Sequence, residues 1–153
     1  MTYESELEYT GFWRRLGATL IDAILMSIIT LPVLSIWYGS GYWEDPRLIK
    51  GPVDFILSWV LPTVLVIALW AKTGSTPGKM AMAAQIVDAR TGRRPSTGQL
   101  IGRYFAYFVS AIPFGLGFLW AAFDSKKQGW HDKLSGTVVV RRKAGSAEPV
   151  QFQ

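Results

Sequence analysis

Asp22 is the residue whose type and position most call for chemistry. It stands in an apolar run seven residues after Arg15. Seven residues on an α-helix return two side chains to nearly the same face, about 10 Å apart along the axis. A carboxylate in such a run needs a partner, and in a bilayer it faces other protein rather than lipid. Desolvation favours the neutral acid and a nearby arginine favours the anion, so a group held between them can take up a proton or a hard cation. The plainer alternative is an Arg15–Asp22 clamp that fixes helix packing and moves nothing. Asp132 is the second carboxylate of interest, and its neighbour His131 is of the type that relays protons near neutrality. Side chains adjacent in sequence seldom hydrogen-bond each other productively, so the simpler reading of His131 is an interfacial residue beside Trp130. Arg103 would neutralise Asp88 or Asp124, or snorkel to headgroups.

A second cluster, Gly74-Ser75-Thr76-Pro77-Gly78-Lys79, invites comparison with a phosphate-binding loop. The spacing fails at Thr73 and Gly74, and Met80 stands where serine or threonine is needed. The local reading has Thr76 as N-cap and Pro77 as opening residue of a short helix over residues 79–84. With no cysteine and one histidine, thiolate sites are excluded and a zinc or haem site is not expected. No nucleophile–base pair or cofactor loop is recognised, so neither an enzyme nor a cofactor is expected.

These residues need a frame, and the frame is hydrophobic. Half of the 153 residues are hydrophobic and 18% are charged, against about 25% charged in soluble domains. The mean hydropathy of +0.21 averages long apolar stretches with charged segments between them, a segregation that a bilayer demands. The net charge of +5 lies beside the apolar segments, which points to topology and anionic lipid and away from nucleic acid.

The first span is expected over residues 16–38, between Trp13-Arg14-Arg15 and the aromatic residues Trp37, Tyr38, Tyr42 and Trp43. Such a helix is on the order of 35 Å long, enough for a hydrocarbon core of about 30 Å. Glu4, Glu6 and Glu8 precede it without a base, unlike a cleaved signal peptide. Residues 39–52 form a linker of balanced charge. The second span is expected over residues 53–71, with Asp54 at its interfacial mouth and Pro62 inside. Residues 72–99 are basic, which places them and the N-terminus on the cytoplasmic side.

The third apolar segment, residues 100–123, is broken by Pro113, Gly115 and Gly117. A full crossing would put the basic tail of Lys126, Lys127, Lys133, Arg141, Arg142 and Lys143 outside, against the charge rule. Each half is too short to cross alone, so a re-entrant hairpin is expected. Residues 84–89 and 137–141 read as short β segments that pair only if both lie on one side of the membrane. Residues 144–153 lack a hydrophobic pattern and are expected to be disordered. Asp132 would then return toward Arg15 and join Asp22 in one charged cluster.

Three blocks of the sequence resemble the RDD family of bacterial membrane proteins. They are Phe12-Trp13-Arg14-Arg15-Leu16-Gly17-Ala18-Thr19-Leu20-Ile21-Asp22; the Gly74–Lys79 stretch followed by Ile86-Val87-Asp88; and the stretch from Phe123-Asp124 through Trp130-His131-Asp132 to Val140. The resemblance runs in order from residue 11 to 142. It implies that the family arginine is Arg15 and its aspartates Asp22 and Asp132, with Asp124 as a further candidate. It also implies a three-element membrane domain with a role in transport, cation/proton antiport having been attributed to some members. Ala83 stands where the family commonly has glycine, which implies a small change in helix packing.

The expected architecture is therefore an all-α membrane protein. It has two transmembrane helices, a broken re-entrant third element and a small cytoplasmic β pairing. Residues 1–10 form a cytoplasmic segment and residues 11–143 the membrane domain, in the bacterial inner membrane. The expected function is a small transporter exchanging Na+, K+ or Li+ for H+ at Arg15, Asp22 and Asp132, and assembling as a homo-oligomer. The alternative is a non-catalytic scaffold or accessory subunit, with structural charges, that serves another membrane protein.

Overall fold

The computed structural model describes residues 7–142 and 150–152. Strand β1 (Leu7–Tyr9) leads into α1 (Phe12–Tyr38), a 27-residue helix in which Pro32 is accommodated without a stop. A one-turn helix α2 (Gly41–Glu44) begins the linker. The linker is latched by Asp54, which accepts from the Tyr42 hydroxyl at 2.9 Å, the Lys50 N–H at 2.8 Å and the Ser58 hydroxyl at 2.9 Å. Asp54 sits in the first turn of the second long helix and is covered there, and these three donors offset the cost of burying it.

The second long helix runs continuously over Pro52–Thr73. It comprises α3 (Pro52–Phe55), a π-helical turn (Ile56–Val60) and α4 (Leu61–Thr73). Pro62 has no N–H to give and crowds the preceding turn, and the widened turn accommodates it. Both long helices are long and apolar enough to cross a membrane, and most of their surface faces outward. Ile24, Ile28 and Ile36 on α1 are exposed, Ile36 to 86%. Soluble monomers rarely leave apolar surface of this extent uncovered, so the two helices are compatible with a membrane protein.

Helix α5 (Pro77–Ala81) is shorter and earlier than residues 79–84, because the chain turns at Ala83 into β2 (Ala84–Asp88). Ala83 has φ of 54°, the left-handed region that glycine adopts at least cost. The glycine expected here therefore answers to backbone conformation, not to helix packing. Strand β3 (Thr137–Arg142) pairs antiparallel with β2, opposing Val138 to Val87, and with β1, opposing Val140 to Tyr9. The sheet order is β1-β3-β2, one strand more than the sequence pattern indicates. Three residues are too few to show alternation, and β1 is defined by its partner. Side chains alternate across the sheet. Val139 and Ile86 pack on Trp70 and Leu100, while Val138, Val140 and Val87 meet Leu7 and Val150. The disorder expected of residues 144–153 does not hold at 150–152, where Val150 and Phe152 cover the sheet's other face. Residues 144–149 and 153 lie outside the described residues.

The third apolar element is α6 (Thr97–Ala111) followed by α7 (Leu116–Leu119) and a 3₁₀ turn (Trp120–Ala122), bent by 110°. The reversal sits at Phe114 and Gly115, with φ of 52° and 73°. Helix α8 (Trp130–Ser135) then feeds β3. The start of α6 and the end of α8 meet at the sheet: Gln99 Nε2 donates to Asp88 at 2.8 Å and to the Gly136 carbonyl at 3.3 Å.

Candidate functional site

Helix α6 is amphipathic, and its inward face carries Leu100, Arg103, Ala106 and Ser110, spaced at one helical turn. Arg103 therefore lies under the helix, fully buried, not neutralising Asp88 or Asp124 and not reaching for headgroups. Its Nη1 donates to Asp132 Oδ1 and to the Thr137 hydroxyl, the latter at 2.8 Å. Its guanidinium faces the rings of Trp70 at 5.4 Å and Tyr107 at 5.7 Å.

Asp132 is placed by α8. As the third residue of that helix its Oδ2 accepts the Gly129 N–H at 2.9 Å, where the helix end favours a negative charge. The same oxygen accepts from Arg15 Nη2 at 2.5 Å. Arg15, in the first turn of α1, also donates from Nη1 to the Lys127 carbonyl at 2.6 Å, so that residue contributes its backbone to the cluster. Burial alone would favour the neutral acid, but Arg103 and Arg15 outweigh it and hold Asp132 far below the usual carboxylate range.

His131 is buried, not interfacial, because α8 turns it inward onto the rings of Tyr107 and Phe118. Burial pushes its pKa down to about 2, with Asp132 opposing and Arg103 and Arg15 reinforcing, so the ring is neutral. Its Nε2 lies 3.0 Å from Arg15 Nη2. A guanidinium only donates, so Nε2 accepts and the proton sits on Nδ1, 3.2 Å from the Ser110 hydroxyl. Arg15 Nη2 thus bonds both His131 and Asp132, whose Nε2 and Oδ2 lie 3.4 Å apart; with the ring proton on Nδ1, no proton lies between those two atoms.

Asp22 is held elsewhere. Its Oδ2 accepts from the Thr76 hydroxyl at 2.5 Å and its Oδ1 from the Gly78 N–H at 2.7 Å. Thr76 occupies the N-cap position of α5, but its hydroxyl caps nothing; α1 supplies the capping carboxylate instead. The close approach depends on Gly78, where a Cβ would overlap the Ala18 carbonyl oxygen. Pro77 opens the helix and Gly74 ends α4 in a left-handed turn. Lys79 is 6% exposed. Burial pulls it below the usual ammonium value, with Arg103 and Arg15 pushing the same way and Asp22 opposing. Asp124 stands apart, bound to Lys133 at 2.7 Å and to the backbone of Lys126 and Gln128.

Between α1, α4, α6 and α7 lies a cavity of about 610 Å³. Arg15, Asp22, Thr76, Lys79, Arg103 and His131 all contribute to its wall, with Trp70 and Tyr107 beside them.

The family model described as the RDD family matches residues 9–136. This chain belongs to the RDD family. It is 34% identical to the uncharacterized protein YxaI of Bacillus subtilis over 146 residues, 85% of this chain and 95% of YxaI. A second Bacillus subtilis protein, the uncharacterized YckC, is 33% identical over 143 residues, 90% of this chain and 88% of YckC. The proline-rich antigen of Mycobacterium leprae is 32% identical over 94 residues, 59% of this chain and 38% of that protein. No solved structure matches.

Of the residues singled out in this RDD-family chain, the fold brings Arg15, Arg103, His131 and Asp132 into one network. Asp22 joins the Thr76-Pro77-Gly78 turn across the cavity from them. Arg103 lies near charged loops in sequence, but its ion-pair partner is Asp132. Its register with Leu100 and Ser110 is the signal that places it inward. Trp70 and the inward direction of Lys79 left no signal, since both depend on how α4 and α5 meet α6.

Proposed function

We propose that this RDD-family protein is an integral protein of the bacterial inner membrane acting as a non-catalytic scaffold or accessory subunit, its charged cluster being structural. The observation that carries this reading is the engagement of both carboxylates. Asp132 is bound by two arginines and a backbone N–H, and Asp22 by Thr76 and the Gly78 N–H. Cation/proton exchange needs a carboxylate that gives up its partners for an ion, and breaking a buried ion pair costs about 3–5 kcal/mol. In this reading the third element is re-entrant, since its entry and exit meet at the sheet, which lies on the cytoplasmic side with the basic loops.

Exchange of Na+, K+ or Li+ for H+ is the rival. Reconstitution in liposomes carrying a pH-sensitive dye, with each cation gradient applied in turn, separates the two. The structural reading expects no cation-driven proton movement. It also expects Asp22→Asn to lower the melting temperature, because an amide cannot accept at both positions equally well. Proton movement that is lost in a fully stable Asp22→Asn protein would establish exchange instead.

A further inference from the structure

The cavity beside the charged cluster has an uneven character that the structural role does not explain. Arg15, Lys79 and Arg103 bring three positive charges to its wall, and two carboxylates bring negative ones, Asp22 on the wall and Asp132 bonded to Arg15 and Arg103. His131 adds none, because its Nε2 accepts from Arg15. With Lys79 charged, one positive charge is left over among the described residues, in a site where Arg103 is fully buried and Lys79 nearly so.

The hydrogen-bond balance points the same way. Arg103 Nε and Nη2 and Trp70 Nε1 are buried without a partner among the described residues. All three are donors, and both residues line the cavity. Among the described residues Lys79 makes no ion pair either, and its Nζ lies over the Trp70 ring, 5.8 Å from the centroid. Unmet buried donors are costly, and a single oxyanion would satisfy them together.

Apart from Thr19, Thr76, Tyr107 and His131, the rest of the wall is apolar. Leu16 and Leu119 at its outer edge are exposed, and Phe114 is 99% exposed. These residues lie on the outward surfaces of α1 and of the α6–α7 break, the surface that faces lipid in the membrane reading. The cavity therefore has a cationic floor and an apolar mouth.

We propose that this cavity binds an amphiphilic oxyanion, a phosphate or carboxylate on an aliphatic chain, with its head at Arg103, Lys79 and Trp70 and its chain leaving past Leu16 and Phe114. Such a ligand is a lipid or a lipid breakdown product reached from the bilayer. The proposal goes beyond the scaffold reading and does not depend on whether the protein also moves ions.

The test uses the full chain in a neutral maltoside detergent, titrated calorimetrically with dodecyl phosphate, dodecanol and inorganic phosphate. Dodecyl phosphate is expected to bind with defined stoichiometry and raise the melting temperature, while the other two bind at least about tenfold more weakly. Equal binding of dodecanol overturns the oxyanion, and equal binding of inorganic phosphate overturns the amphiphile. Lys79→Met should weaken dodecyl phosphate about tenfold and, with no ligand present, melt no lower than the parent, because it removes a buried charge without an ion-pair partner. Thr19→Trp, at an exposed position on the cavity wall, should block the chain without touching a charge and keeps the test open if Lys79→Met folds poorly. Parental affinity in both variants would overturn the site.

Discussion

At Asp132 two guanidiniums from distant parts of the chain converge on one carboxylate that is itself fully buried. Replacing it by asparagine leaves Arg103 buried without its counter-charge, and Asp132→Asn is expected to cost about 3–5 kcal/mol in denaturant unfolding of the detergent-solubilised protein. His131 makes a separate, pH-dependent contribution. Its folded pKa of about 2 lies below the ordinary 6.5, so the unfolded chain takes up the proton first. The stability it provides is complete above pH 6.5 and falls as the pH drops from there toward 2. Asp132, Asp88 and Asp124, also depressed, and the hydrogen-bonded Asp54 contribute their pH dependence below about pH 5. Between about pH 5 and 6 the slope therefore belongs mainly to His131, approaching about 1.4 kcal/mol per pH unit. His131→Gln can accept from Arg15 and donate to Ser110, and should flatten that slope in melting curves recorded across this range. An unchanged slope would show that the ring is already protonated in the fold.

Among the elements, the contact between α1 and α5 decides where Asp22 points. Gly78 lets the α5 backbone sit against Ala18, so the carboxylate four residues further along α1 reaches the Gly78 N–H. Gly78→Ala must push the two apart, with a loss of about 1–3 kcal/mol typical of overpacking, checked by thermal melting. Much of this element was readable beforehand. The Thr76-Pro77-Gly78 order marks a helix start by propensity alone. That its cap comes from α1 was not readable, because a capping carboxylate 56 residues away in sequence leaves no local pattern. The break in the third element was legible for the opposite reason, since Pro113 and Gly115 disfavour continued helix whatever surrounds them. Arg103 lies between these cases. Its helical register gives its face, and only the packing of α6 on α8 gives its partner.

For the whole molecule, the sheet acts as a tie. β2 follows the second long helix and β3 follows the broken element, and their pairing requires the chain to come back to where it left. The chain has no cysteine, so single cysteines report topology cleanly. Ser96→Cys and Ser125→Cys, both exposed and flanking the third element, are expected to react with an impermeant maleimide from the same membrane face. Ser40→Cys, in the linker between the two long helices, should react from the other. Labelling of Ser96→Cys and Ser125→Cys from opposite faces would replace the re-entrant hairpin with a full crossing.

By itself the sequence determined the two long apolar helices, the broken third element and the pairing of β2 with β3. These are written in hydropathy, alternation and turn residues, each a property of neighbours along the chain. It also singled out Arg15, Asp22 and Asp132 as charges that need partners. Only the tertiary structure decided which partners they take. Asp132 joins Arg15 across 117 residues and Arg103 across 29, while Asp22 turns to the α5 turn instead of Arg15. An ion pair is chosen by distance and desolvation in three dimensions, and neither is encoded in the spacing of the residues that form it.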